Sequence, residues 1–182
     1  MSQSPEKTVA IFVAVALLIG VGATSSLFWD RGGEPGEEVT RREAPELSVP
    51  LLSGVDFELS KERGKTVILD FWATWCSPCE VQMPILDSIF KARGGRELTI
   101  VGVSVDTDPA SAVEAWIEER GFEYPIGLGD QDLAMRFGVR GFPTLIVIDP
   151  NGAIRTQHVG ILSRPDLEDL LDEIAQEAPS RG

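Results

Sequence analysis

Thr66-Val67-Ile68-Leu69-Asp70-Phe71-Trp72-Ala73-Thr74-Trp75-Cys76-Ser77-Pro78-Cys79 joins a seven-residue, largely apolar run to a cysteine pair. Its apolar first half predicts a strand covered on both faces, and it runs straight into the only two cysteines of the chain. A Cys-X-X-Cys that follows a strand and opens a helix sets a thiolate on free backbone amides and on the positive end of a helix dipole. Both lower the thiol pKa and make it reactive. The pattern points to thiol-disulfide exchange, with Cys76 as nucleophile and Cys79, three residues along the same helical face, as resolving thiol. Pro78 suits a first helical turn, where a missing amide hydrogen costs nothing.

Other uses of the pair fit less well. A disulfide across three residues closes too small a loop to stabilise much. A zinc site needs two more ligands, and the chain has a single histidine, His158, with carboxylates besides. A peroxidatic cysteine belongs in a Pro-x-x-x-Thr-x-x-Cys frame, where this chain has Leu69 and Ala73.

The chain has 182 residues, enough for one ordinary domain and an appendage at its front. No charged residue occurs from Thr8 to Trp29, and Val9 to Ile19 is continuously apolar. As a helix, those 22 residues reach about 33 Å, against a hydrocarbon core of about 30 Å. Residues 1–29 therefore predict a single-pass anchor with an aromatic end at Phe28-Trp29. The competing reading is a cleaved signal peptide with Val21-Gly22-Ala23 at its processing site. Either way the remainder is expected outside the cytoplasm.

Asp30 to Pro45 is rich in Gly, Glu, Pro and Arg and predicts a flexible acidic tether, residues 30–45. The net charge of −13 lies entirely beyond residue 29, which argues against nucleic-acid partners and against attraction to an anionic membrane surface.

Residues 46–182 read as one α/β domain. Strands are expected at Leu47–Leu52, Val55–Glu58, Val67–Trp72, Leu98–Asp106, Thr144–Asp149 and Ala153–Val159, the last two joined by a hairpin at Asp149-Pro150-Asn151-Gly152. Helical faces are expected at Val81, Ile85 and Ile89, at Val113, Trp116 and Ile117, at Leu133 and Phe137, and at Leu167, Leu170, Leu171 and Ile174. Ser163 reads as the N-cap of the last helix, and Asp106 with Asp108 as a loop-to-helix cap before Pro109. The order of elements gives a three-layer α/β/α sandwich around a mixed sheet.

Asp70 to Cys79, with Met83-Pro84 and Gly141-Phe142-Pro143-Thr144, resembles the thioredoxin superfamily, and more closely its TlpA/ResA-like membrane-anchored thiol-disulfide oxidoreductases. The resemblance covers about Ala44 to Ala175 and includes a surplus helix and strand around Asp106 to Gly129. It implies a cis-proline at Pro143 facing the cysteines, with Phe142 and Trp75 contacting an extended substrate. It also implies a disulfide-bearing protein substrate such as apocytochrome c, a Cys76–Cys79 redox disulfide, a membrane dithiol as electron donor, a monomer and no organic cofactor or metal. Relatives of this type commonly carry Asn at the position of Asp70 and Glu at that of Gln82, so a carboxylate has changed places.

An ionisable group inside Ile68-Leu69-Asp70-Phe71-Trp72 is costly without a reason, and the expectation is that Asp70 has a raised pKa and accepts the proton of Cys79. A hydrogen-bonded structural carboxylate is the alternative. Trp72 reads as core or site flank, Glu80 as solvent-facing, and His158 as a surface residue. The functional alternatives are a copper(I)-binding chaperone using Cys76, Cys79 and His158, and a disulfide oxidant or repair protein.

Overall fold

A computed structural model describes residues 42–177. Eight strands occur in chain order: β1 (Arg42–Glu43), β2 (Ser48–Pro50), β3 (Asp56–Glu58), β4 (Thr66–Trp72), β5 (Leu98–Ser104), β6 (Ile126–Leu128), β7 (Thr144–Ile148) and β8 (Ala153–Val159). Four α-helices join them: α1 (Cys79–Arg93), α2 (Ala110–Arg120), α3 (Gln131–Arg136) and α4 (Arg164–Glu177). The main sheet has the order β1-β8-β7-β4-β5-β6, and β2 with β3 forms a small antiparallel ribbon.

All seven residues of β4 are buried, because it lies between β5, which pairs with it in parallel, and β7, which pairs antiparallel. Its side chains alternate between two layers, as a strand's must. Phe71 packs on Phe137 at the end of α3, whereas Trp72 packs on Trp116 of α2. Asp70 shares the face of Trp72. Helix α1 belongs to that layer too, tied to the end of α2 by Glu80–Arg120 and to α4 by Arg93–Asp172. The result is the expected three-layer sandwich with a mixed sheet.

Differences from the sequence reading have local causes. The anchor expected at 1–29, and the tether as far as residue 41, lie outside the described residues. Among the described residues no helix is long and apolar enough to cross a membrane. The tether's expected last residues belong to the domain: Arg42 and Glu43 pair with β8, and the Ala44 amide donates to the Gly152 carbonyl at 3.0 Å. Composition could not reveal a strand held only by another strand's edge.

The inward face of α1 is Cys79, Gln82, Met83, Leu86 and Ile89, not the Val81-centred stripe; Val81 is 54% exposed. Starting the helix at the buried Cys79 fixes that phase. Residues one turn on then point inward even where one of them, Gln82, is polar.

The β7–β8 hairpin is closed by the Gly152 amide donating to the Asp149 carbonyl, with positive φ at Gly152 and, among the described residues, at no non-glycine residue. Asn151 instead donates its amide to Asp149 Oδ1. Ser163 caps α4 as expected, its hydroxyl accepting from the Asp166 amide at 3.3 Å and donating to the Asp166 carboxylate at 2.6 Å.

Candidate active site

Strand β4 ends beneath a tight loop, Ala73 to Pro78, that carries the first cysteine to the amino end of α1. Cys76 and Cys79 form a disulfide with 2.05 Å between sulfurs and 5.3 Å between Cα atoms. The helix begins at Cys79, so Cys76 stands just before it and not within it. The Cys79 amide donates to Cys76 Sγ at 3.3 Å. When the pair is reduced, that amide and the helix dipole favour the Cys76 thiolate. Cys76 is 5% exposed and Cys79 is fully buried, which orders them as the attacked and the sheltered sulfur.

The rim of the site is aromatic. Trp75 is 62% exposed and meets Phe142 edge to face at 5.7 Å between ring centres. The Phe142–Pro143 peptide is cis. The Pro143 carbonyl accepts from the Gly160 amide at 2.8 Å, which joins this loop to the exposed Val159 and Ile161 at the end of β8. Trp75, Phe142 and Pro143 are thus brought together beside the disulfide loop.

The loop is held by a residue that the sequence reading assigned elsewhere. Asp106 does not cap α2, whose N-cap is Pro109 without a side-chain bond. Its carboxylate instead accepts from the Thr74 amide at 3.0 and 3.1 Å, from the Thr74 hydroxyl at 2.7 Å and from the Ser104 hydroxyl at 2.8 Å. Parallel pairing of β4 with β5 sets Trp72 opposite Ser104, so the two strand ends lie side by side and Asp106 meets Thr74. The spacing of Asp106 and Asp108 before Pro109 mimics a cap, and only the pairing of β4 with β5 distinguishes the two roles.

Beneath the loop, three buried side-chain polar atoms lack a protein partner among the described residues: Asp70 Oδ1, Trp72 Nε1 and Gln82 Nε2. All three belong to β4 or α1. Asp70 has no exposed surface, and burial pushes its carboxyl up from the ordinary 3.8 to about 7, against a lowering by the Tyr124 hydroxyl. That hydroxyl lies 3.5 Å from Asp70 Oδ2. Gln82 reaches across to the loop before α4, where its Oε1 accepts from the Leu162 amide at 2.7 Å.

Trp72 is fully buried core. Glu80 is exposed as expected and meets Arg120 at 3.6 Å, and the Arg120 guanidinium lies 3.7 Å over the Trp116 ring. His158, opposite Leu145 on β8, sets Nε2 3.3 Å from the Ile161 carbonyl oxygen. Among the described residues no group of three or more His, Cys, Asp or Glu is arranged to hold a metal ion. Tyr124 and Gly102 escaped the sequence reading; the one available signal was that Tyr124 is the chain's only tyrosine.

A family model described as AhpC/TSA family matches residues 40–157, well over half of the chain. The chain belongs to this thioredoxin-like family. It is 34% identical over 132 residues to the thiol-disulfide oxidoreductase ResA of Geobacillus kaustophilus, covering 72% of this chain and 75% of that protein. Among solved structures it is similar to a thiol:disulfide interchange protein of the thioredoxin family from Chlorobium tepidum, with a TM-score of 0.66, 28% identity and coverage of 74% of this chain and 96% of that one. A putative thiol:disulfide interchange protein DsbE from Chlorobium tepidum superposes with a TM-score of 0.61 at 29% identity, covering 74% and 94%. This family member is therefore a thiol-disulfide oxidoreductase, with its Cys-X-X-Cys at the position the thioredoxin fold reserves for it.

Proposed function

We propose that the protein is a membrane-tethered reductant of protein disulfides outside the cytoplasm, with disulfide-oxidised apocytochrome c as its substrate class. The observation that carries the reading is the Cys76–Cys79 pair at the start of α1, with the sulfur of Cys76 on a backbone amide and Cys79 sealed beneath it. The apolar, uncharged stretch from Thr8 to Trp29 supports the anchor.

The Cys76 thiolate attacks one sulfur of the substrate disulfide, forming a mixed disulfide and releasing the other substrate sulfur as a thiolate. Cys79 then loses its proton to Asp70 and attacks Cys76 Sγ. The substrate leaves with both sulfurs reduced, and the Cys76–Cys79 disulfide remains. Two electrons pass to the substrate, and a membrane dithiol returns them to the pair. Asp70 suits the acceptor role because its raised pKa sets it near neutrality, where a general base works best. Trp75, Phe142 and Pro143 dock the extended substrate segment beside Cys76.

The test is a trap. With Cys79→Ser, a Cys-X-X-Cys-His peptide in its disulfide form should accumulate as a mixed disulfide on Cys76. The wild-type chain should release the reduced peptide. Failure to trap the peptide, while a scrambled secreted protein is trapped, would move the reading to a repair protein.

A further inference from the structure

Asp70 is held by a residue from outside the strand and helix that carry the redox pair. The segment after α2, Phe122-Glu123-Tyr124, lies against α1: the Glu123 amide donates to Asp87 Oδ1 at 2.7 Å, and Lys91 bridges Asp87 at 2.7 Å and Glu123 at 3.0 Å. Tyr124 is thereby inserted into the core, buried, with its hydroxyl 3.5 Å from Asp70 Oδ2. Its ring sits where a side chain on β5 would otherwise stand. Residue 102 pairs with Asp70 in the β4–β5 register and is glycine; a Cβ there would come within 3.1 Å of Tyr124 Cε2, 3.1 Å of Trp72 Nε1 and 2.8 Å of Ile126 Cδ1. The missing side chain makes the cradle for the tyrosine.

We propose that Tyr124 is a positioning residue for Asp70: its hydroxyl is the polar partner that holds the carboxylate through its protonation cycle. A separation of 3.5 Å is long for a hydrogen bond between oxygens, and it shortens when the carboxyl ionises and the phenol becomes its donor. Without that donor the ionised form has no side-chain partner at either oxygen, since Oδ1 already has none. The direction agrees with electrostatics. The hydroxyl lowers the Asp70 pKa against burial, and Asp70 in turn raises that of Tyr124.

The titratable and charged groups on the elements around the pair are Cys79, Glu80, Asp87, Lys91 and Arg93 on α1, Glu123 beside the tyrosine, and Glu114, Glu118, Glu119 and Arg120 on α2. Strands β5 and β7 set Gly102 and Leu145 opposite Asp70, and neither titrates. Arg120 is engaged by Glu80 and Glu119, and Lys91 by Asp87 and Glu123, so Tyr124 remains the nearest donor to the carboxylate among these groups. The proposal rests on the reading of Asp70 as proton acceptor only for its kinetic consequence, not for the contact itself.

The chain's only tyrosine gives a clean probe. In the oxidised full-length chain, the 13Cζ resonance of Tyr124 should show an inflection that follows Asp70, near pH 7, and lose it in Asp70→Asn. Tyr124→Phe should move the Asp70 13Cγ titration upward. In the reduced protein it should slow Cys79-dependent resolution of a Cys76 mixed disulfide at least about twofold at pH 6, with recovery as pH rises. A Tyr124 13Cζ signal indifferent to Asp70→Asn, or an Asp70 titration unmoved by Tyr124→Phe, overturns the proposal. The first measurement needs no tyrosine variant to fold. If resolution in Asp70→Asn keeps the wild-type pH profile while the two resonances remain coupled, the proton-acceptor reading falls and the positioning contact stands.

Discussion

Replacing Asp70 by Asn swaps a buried acid for a neutral group of the same shape, and its effect on stability should depend steeply on pH. Folding moves the carboxyl from its ordinary 3.8 to about 7 by burying it. Below pH 4 both the folded and unfolded chains hold the proton, and the group costs nothing extra. Between pH 4 and 7 the unfolded chain releases it while the folded chain keeps it, so stability drains away as pH rises. Each pH unit carries about 1.4 kcal/mol, and the interval of about three units amounts to about 4 kcal/mol. Above pH 7 the loss is complete. Asp70→Asn escapes it, so the variant should gain on the wild type by up to about 4 kcal/mol between pH 4 and pH 8, whatever its offset at acid pH. Guanidinium unfolding of both oxidised proteins at pH 4, 6 and 8 measures this directly, and contributions from other titrating groups cancel in the difference. Parallel curves would refute the burial argument, because they require a carboxyl that ionises alike in folded and unfolded chains.

Three further substitutions probe the site. Trp75→Ala should raise KM for a protein disulfide several-fold while leaving the reduction of a small aromatic disulfide and the unfolding midpoint near wild type, because the exposed ring packs on Phe142 at the proposed docking rim and is not core. Asp106→Ala should destabilise by about 1–3 kcal/mol in thermal unfolding and slow even small-disulfide reduction, since Thr74 loses the acceptor for its amide and hydroxyl. Gly102→Ala should cost about 1–3 kcal/mol from overpacking against Ile126, Trp72 and Tyr124; a neutral effect would show that the cradle is looser than the contacts indicate.

Much of this architecture was legible in the chain because the information is local. The run Val67 to Trp72 is apolar enough to demand cover on both faces, and the structure buries it whole. Ser163 followed by Pro165 and Asp166 announces a helix start by its chemistry alone. What escaped was encoded between distant segments. The brief β1 exists only because β8 offers an edge; β6, three residues long with a glycine at its centre, is too short for a period to show and was expected only through the surplus strand that the family resemblance implies. Asp106 looks like a cap until the ends of β4 and β5 are side by side. Tyr124 and Gly102 gain meaning only through the register that sets Gly102 opposite Asp70. Gln82 was visible as a departure from the resembled family, yet its bond to the Leu162 amide spans eighty positions. The cysteine pair and the buried Asp70 could be read from sequence because both lie on one strand and the helix start that follows it; the Tyr124 contact could not, because it joins that strand to the segment after α2.

The direction of electron flow proposed for the Cys76–Cys79 pair is from its dithiol to protein disulfides. Equilibrium titration of the full-length chain against a glutathione or dithiothreitol redox buffer, read by thiol alkylation, tests it most directly. A midpoint close to that of thioredoxin, ~−270 mV, is the predicted result. A midpoint near ~−120 mV, the range of a strong disulfide oxidant, would contradict it and reverse the direction of the electrons.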